Sequence, residues 1–214
     1  MPEHPTEAEV ARQVQIMTTM HFALSSARAS TVYEAIGHAG MYLTTVSMAL
    51  VALGFISAAT KMGDGFYVFA FVLLACLVPM GLATFNRVVQ TGVQDLRLSY
   101  NETCIHRFYM AASPGVERWF GHSVRDARDS HALLTGGGSR FQILFTAGSM
   151  VGGVNSAVVG VLVGLATMRL AGVGLAWTTT AGTVTFTVVG WLHLKLQYAL
   201  FAVLDRPGAA RSAP

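Results

Sequence analysis

Glu102 and His106 stand four residues apart, a spacing that puts a carboxylate and an imidazole on one face of a helix, with Arg107 alongside. Together they could hold a metal ion. Metal centres draw on three or four ligands, however, and Cys104 points about 200° away from Glu102 around the helix, so the pair reads as an ordinary carboxylate–imidazole contact. A second set, His122, Asp126 and Asp129, recurs at i, i+4 and i+7 with His131 near it. Arg125 and Arg128 compete as partners there, which makes a solvated salt-bridge face the simpler reading. A joint metal site between the two sets would need the intervening chain to fold back. Gly136, Gly137 and Gly138, followed by Ser139 and Arg140, invite comparison with phosphate-binding loops, but the Walker lysine and its spacing are missing. The run reads as a flexible hinge. No carboxylate pair for acid–base work, serine nucleophile elbow or zinc-protease helix is present in the sequence. No cofactor, no metal and no enzyme class is expected.

The elements that must position these side chains are set by four segments without a single Asp, Glu, Lys or Arg: residues 35–60, 65–86, 141–168 and 170–194. Each exceeds the roughly 20 residues that a helix needs to cross a hydrocarbon core of about 30 Å. With 53% hydrophobic and only 12% charged residues, the chain carries more apolar surface than a soluble core can hide. The segments are continuous rather than alternating, which selects helices over a barrel. The expected fold is therefore all-α, an integral membrane protein with four transmembrane helices and with N-terminal and central cytoplasmic helices. The acidic start precedes the apolar segments by some thirty residues, the wrong order for a signal peptide, so the N-terminus is expected to be retained. Lys and Arg number two before the first span, seven in 87–140 and three after the fourth, against only Lys61 and Arg169 on the opposite side. That bias puts both termini in the cytoplasm. The pI near 9.1 then reflects topology and attraction to membrane lipid rather than to nucleic acid, which is not an expected partner. Cys76 and Cys104 lie at different depths and are expected as free thiols.

Along the chain, Thr6 to Glu9 has the pattern of a capping box, and Val10, Val14, Met17 and Leu24 follow at helical spacing, so a helix is expected from there into the first span (about 37–59). Lys61 to Gly65 forms a tight turn into the second span (66–86), where Pro79 and Gly81 predict a bend near Val78 and make Pro79 a candidate hinge. Val89, Val93, Leu96, Tyr100, Cys104 and Phe108 fall on one helical face and predict that this span continues as a cytoplasmic stalk until Pro114-Gly115. Short helices are expected around Val116 to Phe120 and Val124 to Leu134. The third span (142–167) carries Gly148, Gly152, Ser156, Gly160 and Gly164, small residues each four apart, which let two helix backbones approach closely. The partner is expected to be the fourth span (172–196) of the same chain, with homo-oligomerisation as the rival. Asn155 is expected to clamp helices through a hydrogen bond, with lining of a polar pathway as the other option. Trp177 and Trp191 mark the membrane interfaces of the fourth span, and the tail from 205 reads as disordered.

Arg28-Ala-Ser-Thr31, Leu50-Val-Ala-Leu-Gly-Phe55, Gly81-Leu-Ala-Thr-Phe85, Arg87-Val-Val-Gln90, Tyr100-Asn-Glu102, His106-Arg-Phe-Tyr109 and Val154-Asn-Ser-Ala157 give residues 28–168 a resemblance to a widespread bacterial family of small four-span integral membrane proteins. The resemblance implies the same four-span plan and a bacterial inner membrane, and it brings no catalytic residues. In layout alone the chain is similar to nucleotide-responsive membrane effectors of antiphage defence. The expected function is that of a non-enzymatic inner-membrane protein whose cytoplasmic helices bind a protein partner or small ligand and couple it to the spans. The alternative is a homo-oligomeric channel or transporter built on the span-three glycine face. Against a pump, no Asp, Glu, Lys or Arg lies within any span except Lys195 at the cytoplasmic edge of the fourth.

Overall fold

A computed structural model describes residues 6–113, 115, 118 and 146–202. Among the described residues there are four helices and no strand: α1 (Glu7–Thr60), α2 (Asp64–Ala112), α3 (Ala147–Ala171) and α4 (Leu175–Ala202). The expected helix at 124–134, most of the one at 116–120, the 136–138 glycines and the C-terminal tail lie outside the described residues.

The ends of these helices follow from local chemistry. At the start of α1, the Thr6 backbone N–H donates to Glu9 Oε2 at 2.8 Å while the Glu9 N–H reaches Thr6 Oγ1 at 3.4 Å, the reciprocal pairing of a capping box. The Thr6 backbone N–H and then Thr6 Oγ1, which also donates to Glu9 Oε2 at 2.9 Å, hold the Glu9 carboxyl below its ordinary range. Between α1 and α2 the turn differs in detail from a glycine turn. Lys61 and Met62 take the left-handed conformation (φ 49° and 57°), at a cost of about 1–2 kcal/mol per residue. In return the Met62 N–H caps the Ser57 carbonyl at 3.2 Å. Pro79 lies inside α2 without ending it, and α2 stops at Ala112, two residues short of Pro114. Thr146 caps α3 by accepting from the Ser149 N–H, and Gly172 closes it with φ 61°.

Three helices, α1, α2 and α3, are long and apolar enough to cross a membrane; α4, with six threonines between 178 and 187, falls below that measure. Since about 20 residues suffice to cross the hydrocarbon, more than half of α1 (54 residues) and of α2 (49 residues) must lie outside it. The chain accordingly divides into two compact units, one drawn from residues 1–33 and 92–143 and the other from 34–91 and 144–214.

In the first unit, α1 and α2 run antiparallel. Thr18 meets Tyr109, His21 meets His106, Ser25 meets Glu102 and Arg28 meets Asp95. Residues 10, 14, 17, 21, 24 and 28 of α1 are half-buried and Thr31 is buried, so the expected apolar stripe is interleaved with His21 and Arg28. On α2 the inward face is rotated from the expected one. Tyr100 and Cys104 of the apolar stripe are exposed, whereas Thr103 and Ile105 are buried and Glu102 and His106 half-buried. The reason is electrostatic: Asp95 and Glu102 turn toward Arg28, and the face that pairs charges wins over the one that would bury a tyrosine and a thiol.

In the second unit, Tyr42, Val46 and Ala49 of α1, Leu74, Leu77, Phe85, Val88 and Val89 of α2, and Val151 and Val158 of α3 form the core. Met41, Met48, Phe55, Val68, Val72 and Leu170 are among the large apolar residues left on its outside, a surface that suits lipid rather than water. The small-residue stripe of α3 faces α4 of the same chain. A Cβ on Gly160 would lie 2.8 Å from the Gly182 carbonyl oxygen, and one on Gly182 would lie 3.0 Å from that of Gly160. Gly164 meets Thr178, Ser156 meets Gly190 and Gly152 meets His193, an antiparallel register in which backbones touch directly. Toward the start of α3 the stripe also meets α2, at Phe85 and Val89.

Gly160→Leu should therefore force α3 and α4 apart and cost at least about 1–3 kcal/mol. Gly153→Leu, at a position where a Cβ meets nothing within 4 Å, should be tolerated. Denaturant titration of the purified protein in mixed micelles compares the two; equal stability would contradict the seam.

Candidate functional site

Two groups of polar side chains are built into the helices. In the first unit, Arg28 lies between two carboxylates, with Nε 3.1 Å from Asp95 Oδ1 and Nη1 2.6 Å from Glu102 Oε2. Ser25 Oγ donates to the other Glu102 oxygen at 3.3 Å, and Thr31 Oγ1 donates to the Arg28 carbonyl at 2.8 Å. One turn further along, His21 and His106 face each other with ring centroids 5.3 Å apart. One donor atom from each of His21, Glu102 and His106 lies within 4.8 Å of the other two. Nδ1 of His21 is buried and has no hydrogen-bond partner among the described residues.

The charges of this cluster are tuned by its burial and by one another. Desolvation opposes the charged form of Glu102, yet the hydrogen bond and charge of Arg28, helped by Ser25, prevail and hold its carboxyl below the ordinary range. Arg28 likewise loses hydration but is pushed above its usual value by its hydrogen bonds to Asp95 and Glu102. Burial first, and then the neighbouring His21, push the His106 imidazole below its ordinary range against the pull of Glu102.

In the second unit, all four helices contribute to a polar seam. Tyr42 Oη donates to Asn155 Oδ1 at 3.1 Å, both residues being almost fully buried. Gly81 of α2 makes the room, since a Cβ there would collide with Asn155 Oδ1 and Tyr42 Oη. Beside them, His193 Nδ1 sits 2.8 Å from the Val189 carbonyl and 3.3 Å from Ser156 Oγ, while Ser156 donates to the Gly152 carbonyl at 2.6 Å. A carbonyl accepts only, so Nδ1 is the donor in that contact. Phe85 meets that ring edge to face at 4.6 Å. Gln197 completes the seam, accepting from Ser149 Oγ at 3.0 Å and donating to Thr146 Oγ1 at 2.9 Å, which ties α4 to the N-cap of α3.

The structure thus brings Glu102 and His106 together with a third donor, His21, that lies 81 positions from Glu102 and on another helix. Asn155 meets Tyr42, and Gly148, Gly152, Ser156, Gly160 and Gly164 line helix contacts within the chain. His122, Asp126, Asp129, Gly136, Gly137 and Gly138 lie outside the described residues. Sequence reading missed His21, Arg28 and Asp95 in the first unit and Tyr42, His193 and Gln197 in the second. A signal existed for some of them: His21 and Arg28 continue the four-three spacing of Val10, Val14, Met17 and Leu24, so they had to face inward. Comparison with known proteins finds no matching family model, no matching curated protein and no matching solved structure.

Tyr42→Phe should remove the hydrogen bond to Asn155 at a cost near the membrane-protein mean of about 0.6 kcal/mol, and at most about 1.7 kcal/mol. Gly81→Val should cost more, because it displaces both partners; the reverse order in a micelle unfolding titration would refute the packing described. In the first unit, Glu102 has a lower pKa folded than unfolded, so its stabilisation is complete above the ordinary value of 4.5 and fades as pH falls through the folded value. Amide exchange over residues 7–33 should therefore accelerate as the pH is lowered below about 4.5, after correction for intrinsic rates. Glu102→Gln should flatten that profile.

Proposed function

We propose that this chain is a non-enzymatic, multi-pass protein of the bacterial inner membrane. Its cytoplasmic unit receives a small ligand or protein partner and passes the change to a membrane bundle. The observation that carries this reading is the continuity of α1 and α2. Each is a single helix through the unit boundary, at Tyr33/Glu34 in α1 and at Thr91/Gly92 in α2, and each supplies a polar interior on one side and an apolar core on the other. Helices of this kind are stiff, so a change of tilt or register imposed on one end is carried to the other rather than absorbed in a loop.

In this reading α4 is the fourth span. Its threonine content lowers its apolarity, but Thr179, Thr180, Thr185 and Thr187 each donate to a carbonyl of their own helix, which leaves little for the bilayer to desolvate. An even number of spans together with the bias of Lys and Arg puts the first unit and both termini in the cytoplasm. The alternative of a channel lined by the α3 glycine face has less support, because that face is already occupied by α4 and α2 within one chain.

Coupling is testable before the ligand is known. Arg28→Ala breaks the cluster of the first unit, and in nanodiscs it should speed amide exchange severalfold not only over residues 7–33 but also over 39–49 of the bundle. Inserting Pro-Gly between Thr91 and Gly92, together with a matching insertion at Tyr33, should confine the effect to the first unit. Unchanged exchange at 39–49 in the Arg28→Ala protein would sink the coupling reading.

A further inference from the structure

We propose that His21, Glu102 and His106 form a binding site for a divalent transition-metal ion of the zinc class. The inference names a ligand for the receiving unit proposed above and rests on that reading for its consequence, though not for the binding itself.

Two imidazoles and one carboxylate are the donor set of three-ligand zinc sites, which leave a fourth position to water. Here the three donor atoms come within 4.8 Å of one another. Zinc bonds to nitrogen and oxygen are about 2.0–2.2 Å long, so small rotations about the side-chain bonds close the remaining gap. The backbones need not move, because all three donors project from two helices packed side by side.

The surroundings favour a cation. The ionised groups of the cluster, Arg28, Asp95 and Glu102, leave one net negative charge. Nδ1 of His21 is shielded from solvent with no partner among the described residues, a loss that a coordinated ion would relieve or that rotation of the ring onto the ion would remove. Glu102 keeps lone pairs for a metal even while it accepts from Arg28 and Ser25, since an ionised carboxylate has about four acceptor sites. Those two residues then serve as positioning groups that fix the carboxylate on the side facing the histidines. Imidazole donors select zinc-class ions over Mg²⁺ and Ca²⁺, which prefer oxygen alone.

A bound ion would join α1 to α2 inside the first unit, at His21 on one helix and at Glu102 and His106 on the other. Occupancy would thereby set how firmly the two helices are held where they lead into the bundle.

The test uses the full chain in nanodiscs, stripped with chelator and titrated with Zn²⁺ by calorimetry, with Co²⁺ as a spectroscopic probe. One ion per chain is expected. His21→Ala and His106→Ala should each weaken binding at least about 100-fold, the upper end of what changes outside the ligand shell cost. His38→Ala, at a histidine next to Glu34, should leave it unchanged. Because an alanine variant could simply misfold, His21→Cys provides a gain of signal: its Co²⁺ form should acquire a thiolate-to-metal charge-transfer band absent from the parent. No bound ion, equal affinity in His21→Ala, or no such band in His21→Cys would overturn the site. If Zn²⁺ binds as described but leaves amide exchange over 39–49 untouched, the metal site stands and the coupling reading falls. If Zn²⁺ does not bind, the site falls and the Arg28→Ala exchange result still judges coupling alone.

Discussion

A polar group inside an uncharged, apolar segment has to find its partner within the protein, and the second unit is organised around that requirement. Tyr42, Asn155, Ser156, His193 and Gln197 are nearly or fully buried, and each makes at least one hydrogen bond across a helix contact or to its own backbone, while Nε2 of His193 and Oγ1 of Thr178 are buried without a partner among the described residues. Glycines determine where the matching can happen. Gly81 leaves the volume in which the Tyr42–Asn155 hydrogen bond lies, and Gly152 lets His193 and Phe85 close over Ser156. At these positions polar pairing and close approach go together, because the missing side chain of a glycine leaves the room in which short side chains meet.

The first unit solves the opposite problem. Its helices are the same covalent rods, but their interior is made of charges and imidazoles rather than of valines and glycines. Arg28 is satisfied from both sides by Asp95 and Glu102, and a guanidinium tolerates such a position because its planar donors reach two carboxylates at once. Among the described residues of this unit, the half-buried Val10, Val14, Met17 and Leu24 and the buried Ile105 add apolar contact around these ion pairs.

Much of the helical framework was legible in the sequence, because it depends on signals local to one helix. The capping box of Thr6 and Glu9, the end of α2 before Pro114-Gly115, the uncharged segments and the four-residue rhythm of small side chains on α3 are all features of neighbouring residues. What was not legible is lateral. The rotation of α2, which turns Glu102 and His106 inward and Tyr100 outward, follows from Arg28 on a helix whose register against α2 no local pattern specifies. The pair at Glu102 and His106 looked incomplete for the same reason, as its third member is distant in the chain. Nothing beside His193 in the sequence, where Trp191 marks an interface, shows that its ring is buried against Phe85 of another helix.

The direct backbone contact between α3 and α4 also decides which parts of the bundle can move. Helices locked carbonyl against glycine at Gly160 and Gly182 have no side-chain cushion to deform, and a shift by one turn would drive Phe186 into the seam. A displacement of α1 or α2 within the bundle would therefore be taken up against that pair, to which the Tyr42–Asn155 hydrogen bond ties α1.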